Sequence, residues 1–332
     1  MIIRAPVRID LAGGWTDVPP YSTRRGGAVV NVAIASYVLV DVRRRDVGIR
    51  ISSDDLGQSI EAGSARDLVY DGKLDLIKAA VKRCGLDEGW EIRTRSTVPA
   101  GSGLGASGSL GVALVTACHA ATGMSLNPEA AAEMAHLLET EELRVAGGKQ
   151  DQYAAALGGF LLLEFQDPVV TATRLKPAPD FLRALGSRLV LCYTGGSRIS
   201  GEAIARVMDG FESGDRKIVA ALEGIGDAAL AARDALAAGD IEALAQVVEA
   251  NWRHQQALDA GQLTETIEQI EAVAKAAGAI GGKACGAGAG GCLLFVSRAE
   301  GAEAVKAAVQ AAGGTLLPIS FDFEGVTDAT SE

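Results

Sequence analysis

The sequence predicts a mixed α+β protein of two domains, and three observations carry that expectation. At 332 residues the chain is long for one small core. Its strand-like and helix-like runs do not alternate strictly, which disfavours a doubly wound sheet. The first half is strand-rich and punctuated by glycine turns, whereas helices dominate from Ser200 to Ala277. Hydrophobic residues make up 48% of the chain and charged residues 22%, enough to bury a sizeable interior in an ordinary soluble globular protein.

In chain order, IIRAPVRIDLAGG reads as a strand ending in a tight turn. AVVNVAIASYVLVDVRRR is β-branched and partly alternating, long enough for one bent strand or two. VGIRISS and WEIRTRSTV add two alternating runs, and between them GKLDLIKAAVKRCG has apolar residues at helical spacing and stops at Gly85. SLGVALVTACHAATG is nearly all apolar or small and is expected to be a buried helix. NPEAAAEMAHLLETEEL opens a helix with Asn127 as N-cap and Pro128 in the first helical position. GGKQDQYAAALGGFLLLEFQ passes from a polar loop through a short helix into a strand, and VVTATRL and SRLVLCYTGG are further strands. The Ala-rich DAALAARDALAAGDIEALAQVV is helix-prone. GGKACGAGAGGCLLFVS, a helix near GAEAVKAAVQAAGG and a final strand TLLPISFDF close the chain. The domain junction is expected at Gln166–Pro168, dividing the chain into 1–166 and 167–332.

A net charge of −11 argues against nonspecific binding of nucleic acid or acidic membranes. Arg43–Arg44–Arg45 is a basic island that reads as a solvated strand end. No signal peptide is visible, because arginines interrupt the first apolar stretch. No run of about eighteen apolar residues suggests a membrane span. Five cysteines without C-x-x-C spacing point to reduced thiols and a cytoplasmic setting, and three scattered histidines give no zinc pattern.

The segment VPAGSGLGASGSLGVAL, residues 98–114, places five glycines within eleven positions before a helix. The spacing G-x-G-x-x-G at Gly103, Gly105 and Gly108 invites a dinucleotide-binding reading. That fingerprint needs an acidic residue at a strand end about twenty positions on, where this chain has the helix-capping turn TGMSLNPEA. A second match at Gly286, Gly288 and Gly291 runs into the strand-like CLLFVS and opens no helix. No G-x-x-x-x-G-K-[ST] P-loop is present either. The loop's physics still points to phosphate: glycines let backbone N–H groups turn inward, and at a helix N-terminus such amides form an anion site. Ser102, Ser107 and Ser109 add hydroxyls for a phosphate oxygen or Mg²⁺. A tight strand-to-helix turn that needs glycine only for packing is the alternative.

PAGSGLGASGS resembles the P-x-x-x-G-L-G-S-S-A motif of the GHMP kinases, the family of galactokinase, homoserine kinase, mevalonate kinase and phosphomevalonate kinase. RAPVRIDLAGGWTDVPPYS resembles the family's first motif in its sugar-kinase form, and GGKACGAGAGGCLLF resembles the third. All three occur in order along almost the whole chain. The resemblance implies a two-domain GHMP kinase fold with a left-handed βαβ element in the first domain and the active site between the domains. It implies that Pro99, Gly101, Ser102, Gly103, Leu104, Gly105, Ala106 and Ser107 cradle ATP phosphates. Ala106 stands where the family keeps another serine, so the metal contact falls to Ser107 alone.

By the same resemblance Asp151 faces the acceptor hydroxyl, a placement from which a carboxylate can accept its proton; a plain helix cap is its alternative. Arg8 matches an arginine near the transferred group, where a permanent cation acts on Asp151 or the acceptor and binds developing charge. Glu139 matches the glutamate that holds Mg²⁺ together with Ser107, with Glu141 and Glu142 as neighbours that leave the assignment open. Asp17 matches an aspartate that bonds sugar hydroxyls, and Thr16 and Trp15 lie beside it, Trp15 either stacking on a sugar face or filling a core. Lys149 and Arg198 are further substrate-side candidates. Gly286, Gly288, Gly290 and Gly291 are expected to shape the wall near the phosphates.

GGKQDQYAAALGGF resembles the D-glycero-D-manno-heptose 7-phosphate kinases, whereas GGWTDVPPYS and GGAVVNVAI resemble L-fucokinases; the heptose kinases usually have glycine in place of Trp15. Both groups imply phosphorylation at the anomeric C1 hydroxyl, with ATP and Mg²⁺ as cofactors and a sugar or sugar phosphate as partner. Arg24 and Arg25 are candidates for a pocket around a second phosphate. A homodimer is compatible with these features. A non-catalytic sugar sensor on the same fold is the alternative from another class.

Overall fold

Two long antiparallel strands, β1 (Ile2–Ala12) and β2 (Gly27–Arg44), form the spine of the computed structural model, which describes residues 1–166, 168–196 and 201–330. They are joined through a turn and the short α1 (Tyr21–Arg25). The 18-residue apolar stretch is one strand because two neighbours share its second edge: residues 27–32 pair with β6 (Phe160–Gln166) and residues 38–44 with β5 (Trp90–Ser96). β3 (Ile49–Ser53) runs parallel to β5, and its hairpin partner β4 (Gln58–Ala62) ends the sheet on that side. β4 carries only one strand-forming apolar residue, Ile60, so the sequence pattern gave no sign of it.

α2 (Asp75–Arg83) precedes β5. α3 (Ala106–Ala121), α4 (Pro128–Leu137) and α5 (Gln150–Leu157) follow it and lead to β6 and β7 (Val169–Leu175). α3 is apolar on all sides because it is enclosed, packing on β1 and β2 and also on α2, α4 and α5. Asn127 caps α4 by accepting from the Ala130 N–H, as expected. Residues 138–142 continue α4 as a π-helical turn, a local widening common at functional sites.

The expected junction at 166/167 falls inside a hairpin. Gln166 of β6 pairs with Val169 of β7, and both strands belong to the eight-stranded first sheet, so that sheet continues to Leu175. The chain then passes through α6 (Pro179–Arg188) into β8 (Leu189–Tyr193), α7 (Gly201–Glu212), α8 (Arg216–Ala238), α9 (Ile241–Leu258) and α10 (Glu265–Ala276). β9 (Ala279–Ala284), β10 (Cys292–Ser297), α11 (Ala302–Ala311) and β11 (Thr315–Leu317) complete the second sheet, in the order β11-β8-β10-β9. The expected last strand stops at Leu317 because Pro318 has no N–H to donate. Phe321 makes a single bridge to Ile34, and β12 (Thr327–Asp328) pairs with β1. One cluster joins Val7, Ile9 and Leu11 of β1 to Leu191 of β8, Ala232 of α8 and Leu244 of α9, so the two sheets share a core. All five cysteines are free thiols. Among the described residues no helix is long and apolar enough to cross a membrane.

Candidate active site

The glycine loop, residues 99–105, ends where α3 begins. Gly101, Gly103 and Gly105 all have positive φ (69°, 74° and 75°), a region that residues with a Cβ rarely adopt. Main-chain carbonyls of the loop are used: Leu104 O accepts from Arg8 N at 2.9 Å and Ser102 O from Cys292 N at 2.7 Å. The amides are not. Among the described residues, no N–H from Gly103 to Gly108 has a protein acceptor. Consecutive free donors at the positive end of a 16-residue helix suit a phosphate chain. Ser102 is 1% exposed, and its Oγ is buried with no hydrogen-bond partner among the described residues. Ser109 is otherwise employed, its Oγ lying 2.7 Å from Pro6 O, which corrects its reading as a phosphate-side hydroxyl.

Asp151, in the first turn of α5, packs directly on this helix start. A Cβ on Gly108 would lie 2.6 Å from Asp151 Cβ, so only glycine admits the carboxylate here. Arg8 from β1 grips it: Nε and Nη2 both reach Asp151 Oδ1 at 2.8 Å. Arg8 Nη1 donates to Gly103 O at 2.6 Å and to Cys285 O at 3.1 Å. Four of the five guanidinium donors are thereby engaged within the protein. Burial pulls the Arg8 pKa down, but the Asp151 and Asp10 carboxylates outweigh it and the net shift is upward. Asp151 Oδ2 has no protein donor among the described residues, and the side chain stays 29% exposed. A carboxylate oriented through one oxygen and open at the other is equipped to accept a proton.

Ser107 Oγ donates to Glu139 Oε1, and Gln152 Nε2 donates to Glu139 Oε2 at 2.5 Å. Glu139 lies in the π-helical turn; Glu141 and Glu142 instead bond to Arg83 on the surface. Of the three acids, Glu139 is the one that bonds to Ser107. Burial pushes the Glu139 carboxyl up to about 6, with bonds from Ser107 and Gln152 opposing it. Among the described residues no three His, Cys, Asp or Glu side chains are grouped to hold a metal ion. The Ser107–Glu139 pair offers two hard oxygens, which fits Mg²⁺ completed by phosphate oxygens and water.

Asp17, 4% exposed, sits at the end of the turn after β1, and its Oδ2 accepts from Gln150 N at 3.2 Å. Burial raises its pKa to about 6, the Gln150 bond opposes this, and Asp151 and Asp10 add to the rise. Because the folded value lies above the ordinary 3.8, stability from neutral Asp17 is present below pH ~4 and is lost as pH rises through 6. An Asp17→Asn variant should therefore gain on the wild type by roughly 2–3 kcal/mol between pH 4 and 7.5. Denaturant titrations at several pH values measure this, and a pH-independent difference would contradict it.

Trp15 and Thr16 are corrected to structural roles. Trp15, 6% exposed, lies in a cluster with Val207, Phe211 and Leu222. Thr16 is fully buried, its Oγ1 donating to Gly13 O at 2.7 Å and accepting from Ala28 N at 3.1 Å. Lys149 bonds Glu133 at 2.9 Å and Pro168 O at 3.3 Å, which neutralises much of its charge; it shares a small cavity with Asp17, Ser22, His136 and Gly147. Arg24 pairs with Glu212 on the surface. Arg198 lies outside the described residues.

The third motif closes against the loop without side chains between them: a Cβ on Gly286 would come within 2.8 Å of Gly103 Cα. Gly291 meets Ser102 O, and Gly288 packs on Gln262, so Gly288 lies one layer back. Gly290 takes a φ of 142°. Gln152 and the pair Asp10–Lys283 were missed in the sequence. Gln152 carried a signal, since it adjoins Asp151; the ion pair spans the two domain motifs and carried none.

Comparison with known proteins places this geometry. Residues 73–159 match the GHMP kinases N terminal domain and residues 232–315 the GHMP kinases C terminal domain. The chain is 33% identical over 302 residues to D-glycero-alpha-D-manno-heptose 7-phosphate kinase of Campylobacter jejuni, covering 88% of each. It is 30% identical to the L-fucokinase/L-fucose-1-P guanylyltransferase of Bacteroides fragilis, covering 89% of this chain but only 34% of that longer protein. The crystal structure of a D-glycero-D-manno-heptose 1-phosphate kinase from Bacteroides thetaiotaomicron superposes with a TM-score of 0.81 at 28% identity, covering 98% of this chain and 97% of that one.

Proposed function

The chain belongs to the GHMP kinases, and on that premise we propose that it is an ATP-dependent sugar kinase acting on an anomeric C1 hydroxyl, with D-glycero-D-manno-heptose 7-phosphate as the acceptor. The observation that carries the reading is Asp151, held by Arg8 through one oxygen and open at the other, beside six unpartnered amides. The names of the Campylobacter and Bacteroides thetaiotaomicron relatives support a heptose phosphate.

ATP bound with Mg²⁺ would supply the phosphoryl group and neutralise its charge. The amides of Gly103–Gly108 would orient the phosphates along the axis of α3, while Ser107 and Glu139 would hold the metal. Asp151 Oδ2 would orient the acceptor hydroxyl and take its proton as the oxygen attacks. With most of its donors already used, Arg8 acts chiefly by fixing Asp151 rather than by binding the transferred group. Asp17, which accepts from the backbone N–H of Gln150 next to Asp151, would bond ring hydroxyls. A cytoplasmic setting completes the reading, the free thiols being compatible with it.

An ADP-release assay across heptose 7-phosphate, L-fucose and other hexoses, with phosphorus NMR of the product, tests the proposal. Phosphate appearing at C1 of the heptose is the expected result. Turnover of L-fucose alone would transfer the reading to a fucokinase, and nucleotide binding without turnover of any sugar would favour a sensor. Ser107→Ala should raise the Mg²⁺ concentration for half-maximal activity about tenfold, the scale of a lost ligand-side contact. An unchanged Mg²⁺ titration would remove Ser107 from the metal site.

A further inference from the structure

β1 and β9 are tied by two polar contacts, two residues apart on β1. Arg8 Nη1 donates to Cys285 O, just beyond β9. Lys283 Nζ donates to Asp10 Oδ2 at 2.5 Å and to Asp10 O at 2.9 Å. Lys283 is 1% exposed and Asp10 4% exposed. Residues two apart on a strand share a face, so Arg8 and Asp10 project the same way. The Arg8 guanidinium accordingly feels the Asp10 carboxylate as well as that of Asp151. Asp10 Oδ1 is buried with no hydrogen-bond partner among the described residues, so Asp10 retains an unused acceptor.

Two carboxylates therefore border one guanidinium, and only the Asp151 pairing presents an open oxygen at the loop amides. A buried ion pair is weak evidence for stability, because desolvation offsets attraction. Here the pair has another consequence: it settles which acid Arg8 serves.

We propose that Lys283 is a positioning residue for phosphoryl transfer: by holding Asp10, it keeps that carboxylate from drawing Arg8 away from Asp151. The proposal rests on Asp151 being the base. If Lys283 is removed, Asp10 is left charged, buried and short of donors, and Arg8 is the cation on its own strand face. Arg8 turns toward Asp10 and Asp151 loses its orientation. If Asp10 is removed as well, no competitor remains and Arg8 stays on Asp151.

The test compares Lys283→Met, Asp10→Asn and the double variant in full-length protein, measuring kcat, the KM for sugar and the affinity for a non-hydrolysable ATP analogue. Lys283→Met should lower kcat about tenfold or more with nucleotide affinity nearly unchanged, while Asp10→Asn and the double variant stay within about threefold of wild type. A merely structural ion pair is broken equally by either single substitution, so equal losses in both would overturn the proposal. If Lys283→Met does not fold, the double variant decides: kcat near wild type supports the proposal and a tenfold loss overturns it. Asp151→Asn assayed alongside separates the two readings. Near-normal turnover there removes the premise, whereas its collapse together with equal losses at Asp10 and Lys283 removes only the role of Lys283.

Discussion

Asp151→Asn is expected to cut turnover at least about 100-fold, the scale of a positioned acid–base group, with nucleotide-analogue binding close to wild type. Asparagine keeps the volume that the Gly108 gap accommodates, and its carbonyl oxygen can still accept from Arg8. What it lacks is a second oxygen able to take a proton. The loss should therefore fall on kcat, with thermal stability little altered. Single-turnover phosphoryl transfer and a binding isotherm for the ATP analogue check this together. Turnover within a few-fold of wild type would mean that the hydroxyl proton leaves by another route.

Arg8→Lys is the second large effect. Lysine keeps the buried charge but is a point donor, whereas Arg8 spans Asp151, Gly103 O and Cys285 O at once. A single ammonium cannot occupy all three sites, so Asp151 becomes free to turn and the loop loses a tie to the third motif. About a 100-fold fall in kcat is expected, comparable to losing one preorganised electrostatic contact, with a modest rise in the KM for ATP as the loop loosens. Steady-state kinetics at saturating Mg²⁺ measures both. Retention of turnover within tenfold would show that charge alone suffices and that the fork is dispensable.

Motifs that need particular residue types at fixed spacing were legible in the sequence. The resemblance implied a glycine loop at a helix start with Asp151 against it and Ser107 beside Glu139, and the structure brings these groups together. Trp15 was ambiguous for a physical reason: an aromatic residue beside a polar turn suits a sugar face or a core equally. Only the arrival of α7 and α8, far along the chain, makes it core. Three acids within four positions look alike in the sequence, and only the fold brings Arg83 against Glu141 and Glu142 and Ser107 against Glu139. Asp10 and Lys283 lie 273 positions apart, and no local pattern connects them. Gln166–Pro168 has the composition of a linker, yet Gln166 pairs with Val169 and the first sheet continues to Leu175, where the shared core leaves no break in composition.

The pairing of β12 with β1 bears on what the edge of the first sheet exposes. Ala329 N donates to Ile2 O at 2.8 Å and Ile2 N to Thr330 Oγ1 at 2.9 Å, so β12 and the residues after it are laced to the start of β1. Removing residues 327–330 would bare the outer edge of β1, an unpaired strand edge that a second chain could extend.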